Sequence, residues 1–363
     1  MKITRIALLT VLALSGAVSA LANPPAFVPT GVIGMIPTSM SDDASIVVGS
    51  GFFGIPNYYY TEASGVSTIG AGCTSGMPAI SGDGSTVLGC HVDAQRHENA
   101  AKWLGGTSWQ DLGSEAGAVP CGTLLSGTWG VTRNGSLGVG LLWLAQVCKA
   151  NAGTWDLVNG GPATVLPTLF DGPATRANAV NADGSVIVGW QDQLNGERTA
   201  AKWVNGIPEL IVNDDGSFNG EAHAVSADGK TIVGENYQFT GIKFQAWIWR
   251  DGQGVSPIGI SAHGHLGNFT ALDVSDDGTV VVGFIRKGQL QQKAFIWKSG
   301  HGAAYLDAFL TSRGAIVPAG WTLKSASVIS ADGKTIYGWG SNPDGLIEMF
   351  KVELNTPAAI PTR

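Results

Sequence analysis

The sequence predicts an all-β fold, a seven-bladed β-propeller of four-stranded blades. Three observations carry that prediction. A nine-residue motif, S-A-D-G-K-T-I-V-G in its copy at 226–234, recurs seven times along 363 residues. A large ring follows every copy at a nearly constant distance. The composition, 52 Gly and 12 Trp with only 13% charged residues, suits a chain of strands and tight turns.

The motif copies occupy 41–49, 81–89, 132–140, 181–189, 226–234, 275–283 and 330–338. Their first residue is Ser, Thr or Asn, and their third is Asp, or Asn134 in one copy. The fourth is Gly in all but the first copy, which has Ala44, and the ninth is Gly in all seven. An apolar residue precedes each copy. This is the signature of a hairpin. Gly accepts the positive φ of the turn, and Asp binds local N–H groups. The leading hydroxyl or amide can do the same. The closing Gly implies a bend or a close backbone approach. A feature that recurs sevenfold for these reasons reads as structure rather than as a ligand site.

The third strand of each unit carries the ring: Tyr60, Trp103, Trp155, Trp203, Trp249, Trp297 and Phe350, 11 to 15 residues after each motif. One ring per unit reads as core. A short apolar stretch follows in most units and supplies a fourth strand. Four strands per unit at a period of 40 to 55 residues are the pattern of propeller blades. An open stack of such hairpins would leave sheet edges unpaired, whereas a closed ring leaves only short ones.

The chain ends fit this plan. Residues 1–22 have the three parts of a secretory signal: Lys2 and Arg5, an apolar run at 6–14, and Ala20-Leu21-Ala22 as the cleavage site. The propeller domain is expected over 23–355, with a tail at 356–363. The last unit lacks a fourth strand of its own. The N-terminal segment, reading as strand from Thr30, is expected to pair with it and close the ring. No other apolar run is long enough to cross a bilayer as a helix once the signal is removed.

Without Lys2 and Arg5 the chain has 19 basic against 28 acidic residues, a formal −9 with no basic cluster. That argues against nucleic acid and anionic membrane as partners. Four cysteines in an exported chain suggest disulfides. Cys121 and Cys148 lie symmetrically about one turn and Cys73 and Cys90 nearly so about another, which favours the pairs Cys73–Cys90 and Cys121–Cys148.

The units with Ala-Phe-Ile-Trp at 294–297 and Ala-Trp-Ile-Trp at 246–249, each following a Ser-x-Asp-Gly-x-x-x-Val-Gly motif, resemble the HAF-repeat family of exported bacterial proteins. The resemblance covers nearly the whole mature chain and implies export and a propeller. The namesake His is replaced by Lys293 and Gln245. No common activity comes with the family, so it implies no catalytic residue. Secretion or a periplasmic location is the expected destination.

Propeller geometry sets all seven Asp-Gly turns on one face. The loops joining second to third strands, and each blade to the next, lie on the other. A rigid scaffold presenting varied loops is the usual layout of a binding face. The polar candidates there are His91, Asp93, Arg96 and His97 on one loop and Asp192, Glu197 and Arg198 on another. Glu235, Tyr237, His263 and His265 complete the set. His263-x-His265 lacks a third ligand. The sequence implies no metal and no cofactor, and it contains no G-x-S-x-G, P-loop or HExxH. The leading expectation is a monomeric binding or interaction module for a glycan, or for a cell-envelope or extracellular protein. The alternatives are a polysaccharide hydrolase or lyase on the same scaffold, which would need paired carboxylates, and a structural surface protein.

Overall fold

The structure is a computed structural model. It describes residues 24–354 apart from 52–55, 71, 145–147, 172–173, 218, 238–243, 260–267 and 288–290. The expected signal at 1–22 and tail at 356–363 lie outside the described residues. Seven four-stranded antiparallel sheets form the blades of a propeller. Six are built from consecutive strands. The seventh combines Thr322–Ile329, Thr335–Ser341 and Ile347–Glu353 with the first strand of the chain, Ala26–Ile33. Ala26 pairs with Glu353 and Ile33 with Glu348, so the two chain ends close the ring in one sheet. The closing strand starts four residues before Thr30, and Met35 already opens the first strand of blade 1.

The repeated motif folds as its chemistry dictates. In all seven turns the first residue's side-chain oxygen accepts the N–H of the sixth. Examples are Thr231 onto Ser226 at 3.0 Å and Val186 onto Asn181 at 2.9 Å. In six turns the leading hydroxyl also donates to the third residue, as from Ser226 to Asp228 at 2.8 Å. That third side chain accepts the N–H of the fifth residue in every copy. The fourth residue has positive φ throughout, from 58° at Ala44 to 84° at Gly184. These bonds hold Asp43, Asp83 and Asp183 below the ordinary carboxylate range: the Ser45 N–H acts on Asp43, the Ser81 hydroxyl on Asp83 and the Ser185 hydroxyl on Asp183. At Asp228, Asp277 and Asp332 burial pushes upward, but the same hydrogen bonds outweigh it.

The ninth-column Gly answers a second feature of the hairpin. In six blades the first strand carries a β-bulge, whose extra residue is Thr38, Trp129, Asn178, His223, Leu272 or Ser327. The residue before the bulge pairs with that Gly, as Ala222 does with Gly234. The carbonyl oxygen one residue earlier turns towards it. A Cβ on Gly49, Gly140, Gly189, Gly234, Gly283 or Gly338 would lie far inside van der Waals contact with that oxygen. The bulge thus excludes a side chain from the ninth column in these six blades; Gly89 of blade 2 faces only the Trp109 ring.

Rings cement the blades. Trp155 and Trp203 are buried, and each donates its indole N–H to the preceding blade or its exit, to Gly113 O at 3.2 Å and Pro167 O at 2.8 Å. In blades 5 and 6 the fully buried ring is two residues earlier, at Trp247 and Phe295, while Trp249 and Trp297 are half-buried beside it. Each buried ring contributes on the order of 4–6 kcal/mol, from ~150–250 Å² at ~25 cal/mol per Å². Among the described residues, one short helix, Leu306–Ser312, opens the connection into blade 7. Leu306, Phe309 and Leu310 recur on its inner side and join the core there. Both expected disulfides, Cys73–Cys90 and Cys121–Cys148, are present.

Candidate functional site

The first strands of all seven blades surround a central channel of ≈ 690 Å³. Its turn-face end is lined by the second residue of each motif copy. Four of these are small: Gly82, Ala182, Ala227 and Ala331. The other three meet across the axis, where Arg133 of blade 3 pairs with Asp42 of blade 1 through Nε and with Asp276 of blade 6 through Nη1 at 2.7 Å. Backbone bonds link neighbouring turns around the same rim, among them Asp42 N–H to Gly82 O at 2.9 Å and Asp276 N–H to Ala331 O at 3.0 Å. The small residues leave the room that the Arg133 side chain occupies.

The bulge residues supply the channel wall. All six line it, because the extra residue of each inner strand is directed to the axis. Towards the loop face, blades 4 and 5 build an ionic cluster on these strands and on the second and third strands beside them. Glu221, at the start of the first strand of blade 5, is buried. Arg176 donates from Nη2 to its Oε1, Asn178 donates to the same oxygen at 2.8 Å, and Arg198 donates to Oε2 at 3.2 Å. Arg176 also donates to Asn178 Oδ1 at 2.7 Å, and Arg198 to Asp192 Oδ1 at 3.1 Å. The guanidinium groups interleave with two indoles. Arg176 lies 3.8 Å from the Trp129 ring centre and 5.5 Å from that of Trp190, and Arg198 lies 3.5 Å from Trp190. Trp129 is in turn held by its N–H on Ser75 O at 2.9 Å.

His223, the bulge residue of blade 5, stands between two carboxylates. Its Nδ1 is 4.0 Å from Glu221 Oε1 and its Nε2 is 3.5 Å from Glu235 Oε1. Among the described residues Nε2 has no well-aligned hydrogen-bond partner, Glu235 being the nearest acceptor. Burial lowers the basicity of His223, but Glu235 and Glu221 outweigh it and raise its pKa above the ordinary value. Burial also works against the Glu221 carboxylate. Arg176, His223, Arg198 and Asn178 reverse that and hold it ionised below the usual range. Asp192 is pushed up, because burial exceeds the help from Arg198. The arrangement is a preorganised set of charges on a rigid inner wall, suited to orienting a polar ligand. Glu221, tied down as an anion, is unsuited to general-acid chemistry.

Of the residues singled out from the sequence, Asp192, Arg198 and Glu235 belong to this cluster. The loop from His91 forms a separate arrangement around blade 2. Asp93 accepts the His97 N–H at 2.7 Å and the Asn99 amide at 3.0 Å, Arg96 supplies a positive φ of 69°, and His91 pairs with Asp111 at 2.9 Å. Those contacts shape the loop itself. Glu197 is exposed and caps its own turn through Asn195. Tyr237 ends the second strand of blade 5. His263 and His265 lie outside the described residues. Sequence reasoning missed Arg176, Asn178, Glu221, His223, Trp129 and Trp190. A signal existed: Thr-Arg-Ala-Asn-Ala-Val and Glu-Ala-His-Ala-Val alternate polar and small residues on strands that a propeller places at its axis.

No protein-family model matches the chain, and no curated protein matches it in sequence. Among solved structures it is similar to the β-propeller domain of Cps50 (Swd1) from Myceliophteria thermophila. The identity is 10% and the TM-score 0.53, over 92% of this chain and 100% of that one. It is also similar to hydrazine synthase of Kuenenia stuttgartiensis, at 14% identity and a TM-score of 0.50 over 89% and 96% of the two chains. TolB from Acinetobacter baumannii matches at 15% identity and a TM-score of 0.47 over 75% of this chain, which spans 62% of TolB. Likeness at these identities is likeness of fold alone, and that to the Swd1 β-propeller domain agrees with the propeller fold.

Proposed function

We propose that this chain is an exported binding module whose ligand enters the channel from the loop face and is held by the cluster around Glu221 and His223. One observation carries the reading. Arg133 spans the turn-face end, while the loop-side wall of blades 4 and 5 concentrates fixed charges and a loosely held imidazole at the axis. Two disulfides support the export part of the proposal, since they persist in oxidising compartments. Membership of the HAF-repeat family and a secreted or periplasmic location belong to the same reading. Both brace loop-face connections, Cys73 and Cys121 lying between blades.

The test is a thermal-shift screen of the mature protein against glycans and exported proteins of the source cell, repeated with His223→Gln. A ligand at 100 times its Kd stabilises by about 2.7 kcal/mol, which is easily read. The stabilisation should shrink in His223→Gln and persist in His97→Ala. A ligand that depends on the His91–His97 loop and ignores His223 would place binding elsewhere and defeat the proposal.

A further inference from the structure

A second cavity lies at the loop-face end of blade 5, beside its interface with blade 4. Over most of that interface the contact is apolar, with Ile232, Trp247 and Trp249 of blade 5 against Val186, Val188 and Ala200 of blade 4. Further towards the loops the pattern changes. Asn236 and Gln245 are register partners on adjacent strands, and they follow Gly234 and Trp247 on the same side of the sheet. Asn213 and Asn219, from the connection that leads into blade 5, complete a polar rim. Between them lies a cavity of ≈ 180 Å³. Trp247, Val255 and Pro257 form its apolar wall.

The hydrogen-bond accounting leaves this rim with spare capacity. Asn213 donates to the Ser217 hydroxyl at 2.7 Å, and Asn219 donates to Ile211 O at 3.4 Å. The indole of Trp247 is held by the Asn219 backbone carbonyl at 2.8 Å. Among the described residues, the side-chain oxygens of Asn213 and Asn219 accept no hydrogen bond. The side chains of Asn236 and Gln245 make none with any described residue. Among the described residues, the wall contains no charged side chain.

We propose that this cavity binds an uncharged polyol, namely one ring of a neutral sugar. A carboxamide offers a donor pair and an acceptor side by side, which matches neighbouring hydroxyls that each give and take a hydrogen bond. The apolar wall receives the C–H face of the ring. A charged ligand would lose hydration here and gain no counter-charge from the described wall. The small volume limits the occupant to a single ring. This site has different walls and residues from the channel, so it stands or falls independently of the channel reading.

Saturation-transfer NMR and calorimetry on the mature chain test this with glucose, galactose, mannose and N-acetylglucosamine, alongside glucuronate and glucosamine. At least one neutral sugar should bind saturably. Both Asn236→Ala and Gln245→Ala should weaken it roughly tenfold, the loss of about 1.4 kcal/mol of hydrogen bonding. His97→Ala should leave it unchanged. Both amides sit at strand ends, and circular dichroism verifies that the variants fold. Gln245→Glu, which keeps the shape, should weaken binding too. The proposal is overturned if no neutral sugar saturates, if both amide variants bind as the parent does, or if glucuronate binds more tightly than glucose.

Discussion

Gly234→Ala is the substitution that best separates the account of the ninth column from a simple preference for glycine. A methyl group at this position meets the carbonyl oxygen of Glu221 and the ring of Trp247. Neither can move aside. The carbonyl belongs to the bulged strand, and the indole is pinned by its hydrogen bond to Asn219 O. Relief requires the strands to part, at the loss of one or two ladder hydrogen bonds of about 0.5–1.5 kcal/mol each. Overpacking adds about 1–3 kcal/mol. The expected cost is therefore about 2–5 kcal/mol. Gly89 is the internal control. A methyl there meets only the edge of the Trp109 ring, at 3.2 and 3.3 Å, with the nearest backbone atom at 3.9 Å. Trp109 also donates its indole N–H to a carbonyl, that of Ile69, but the methyl meets the far edge of its ring, which is only partly buried and need shift by only a few tenths of an ångström, so Gly89→Ala should cost below about 1 kcal/mol. Urea unfolding followed by tryptophan fluorescence, comparing midpoints at equal slopes, reads the difference. Equal costs for the two variants would refute the idea that the bulge imposes the glycine.

Three further outcomes follow from named contacts. Glu221→Gln leaves Arg176 and Arg198 without their shared anion and should destabilise by about 3 kcal/mol, discounted from the fully buried case because Arg198 is partly exposed; a near-neutral result by chemical denaturation would contradict the cluster. Asp273, whose oxygens accept the N–H groups of Val274 and Ile329, is raised by burial to about 7 from 3.8, so the folded chain keeps a proton that the unfolded chain releases; the stability difference between wild type and Asp273→Asn should fall as pH rises from about 5 to 8, and a difference flat in pH would exclude it. Replacing Cys73 and Cys90 by Ser, which opens a loop of 17 residues, should cost roughly 3 kcal/mol in thermal unfolding, and an unchanged midpoint would show that the bridge does not constrain the unfolded chain.

The blades were legible in the sequence because turn chemistry is local. Ser226, Asp228 and Gly229 contact each other within one turn, so their spacing alone reveals the hairpin. The disulfides were legible for a related reason, since symmetric placement about a turn fixes which residues come level across a hairpin. The bulges left no such mark. Asn178 and His223 are extra residues only relative to a partner strand, and pairing register is not visible in one strand read alone. The ionic cluster was hidden more deeply. Arg176 and Glu221 are 45 residues apart and meet because the ring sets the first strands of neighbouring blades side by side. The helix Leu306–Ser312 was concealed by its length, two turns with no side-chain cap, in a connection that reads as loop.

The columns that define the repeat and the positions that face the channel are different residues, and the hairpin explains why. Its fixed columns are consumed by local bonding: the hydroxyl, the Asp, the turn Gly and the closing Gly each have a partner within the blade. Two kinds of position are left with no local duty, the second residue of the turn in all seven blades and the bulge residue in six. The same geometry that frees them also aims them at the axis. Seven blades of one design can therefore hold Arg133 opposite Asp42 and Asp276 at one end, and His223 near Asn178 and Trp129 further along, with no change to any turn. Exchanging bulge residues for others of similar size should alter what the channel holds while leaving the propeller intact. Exchanging a turn Asp should do the reverse. The chemistry of this protein is thus to be sought at the positions where its repeats disagree.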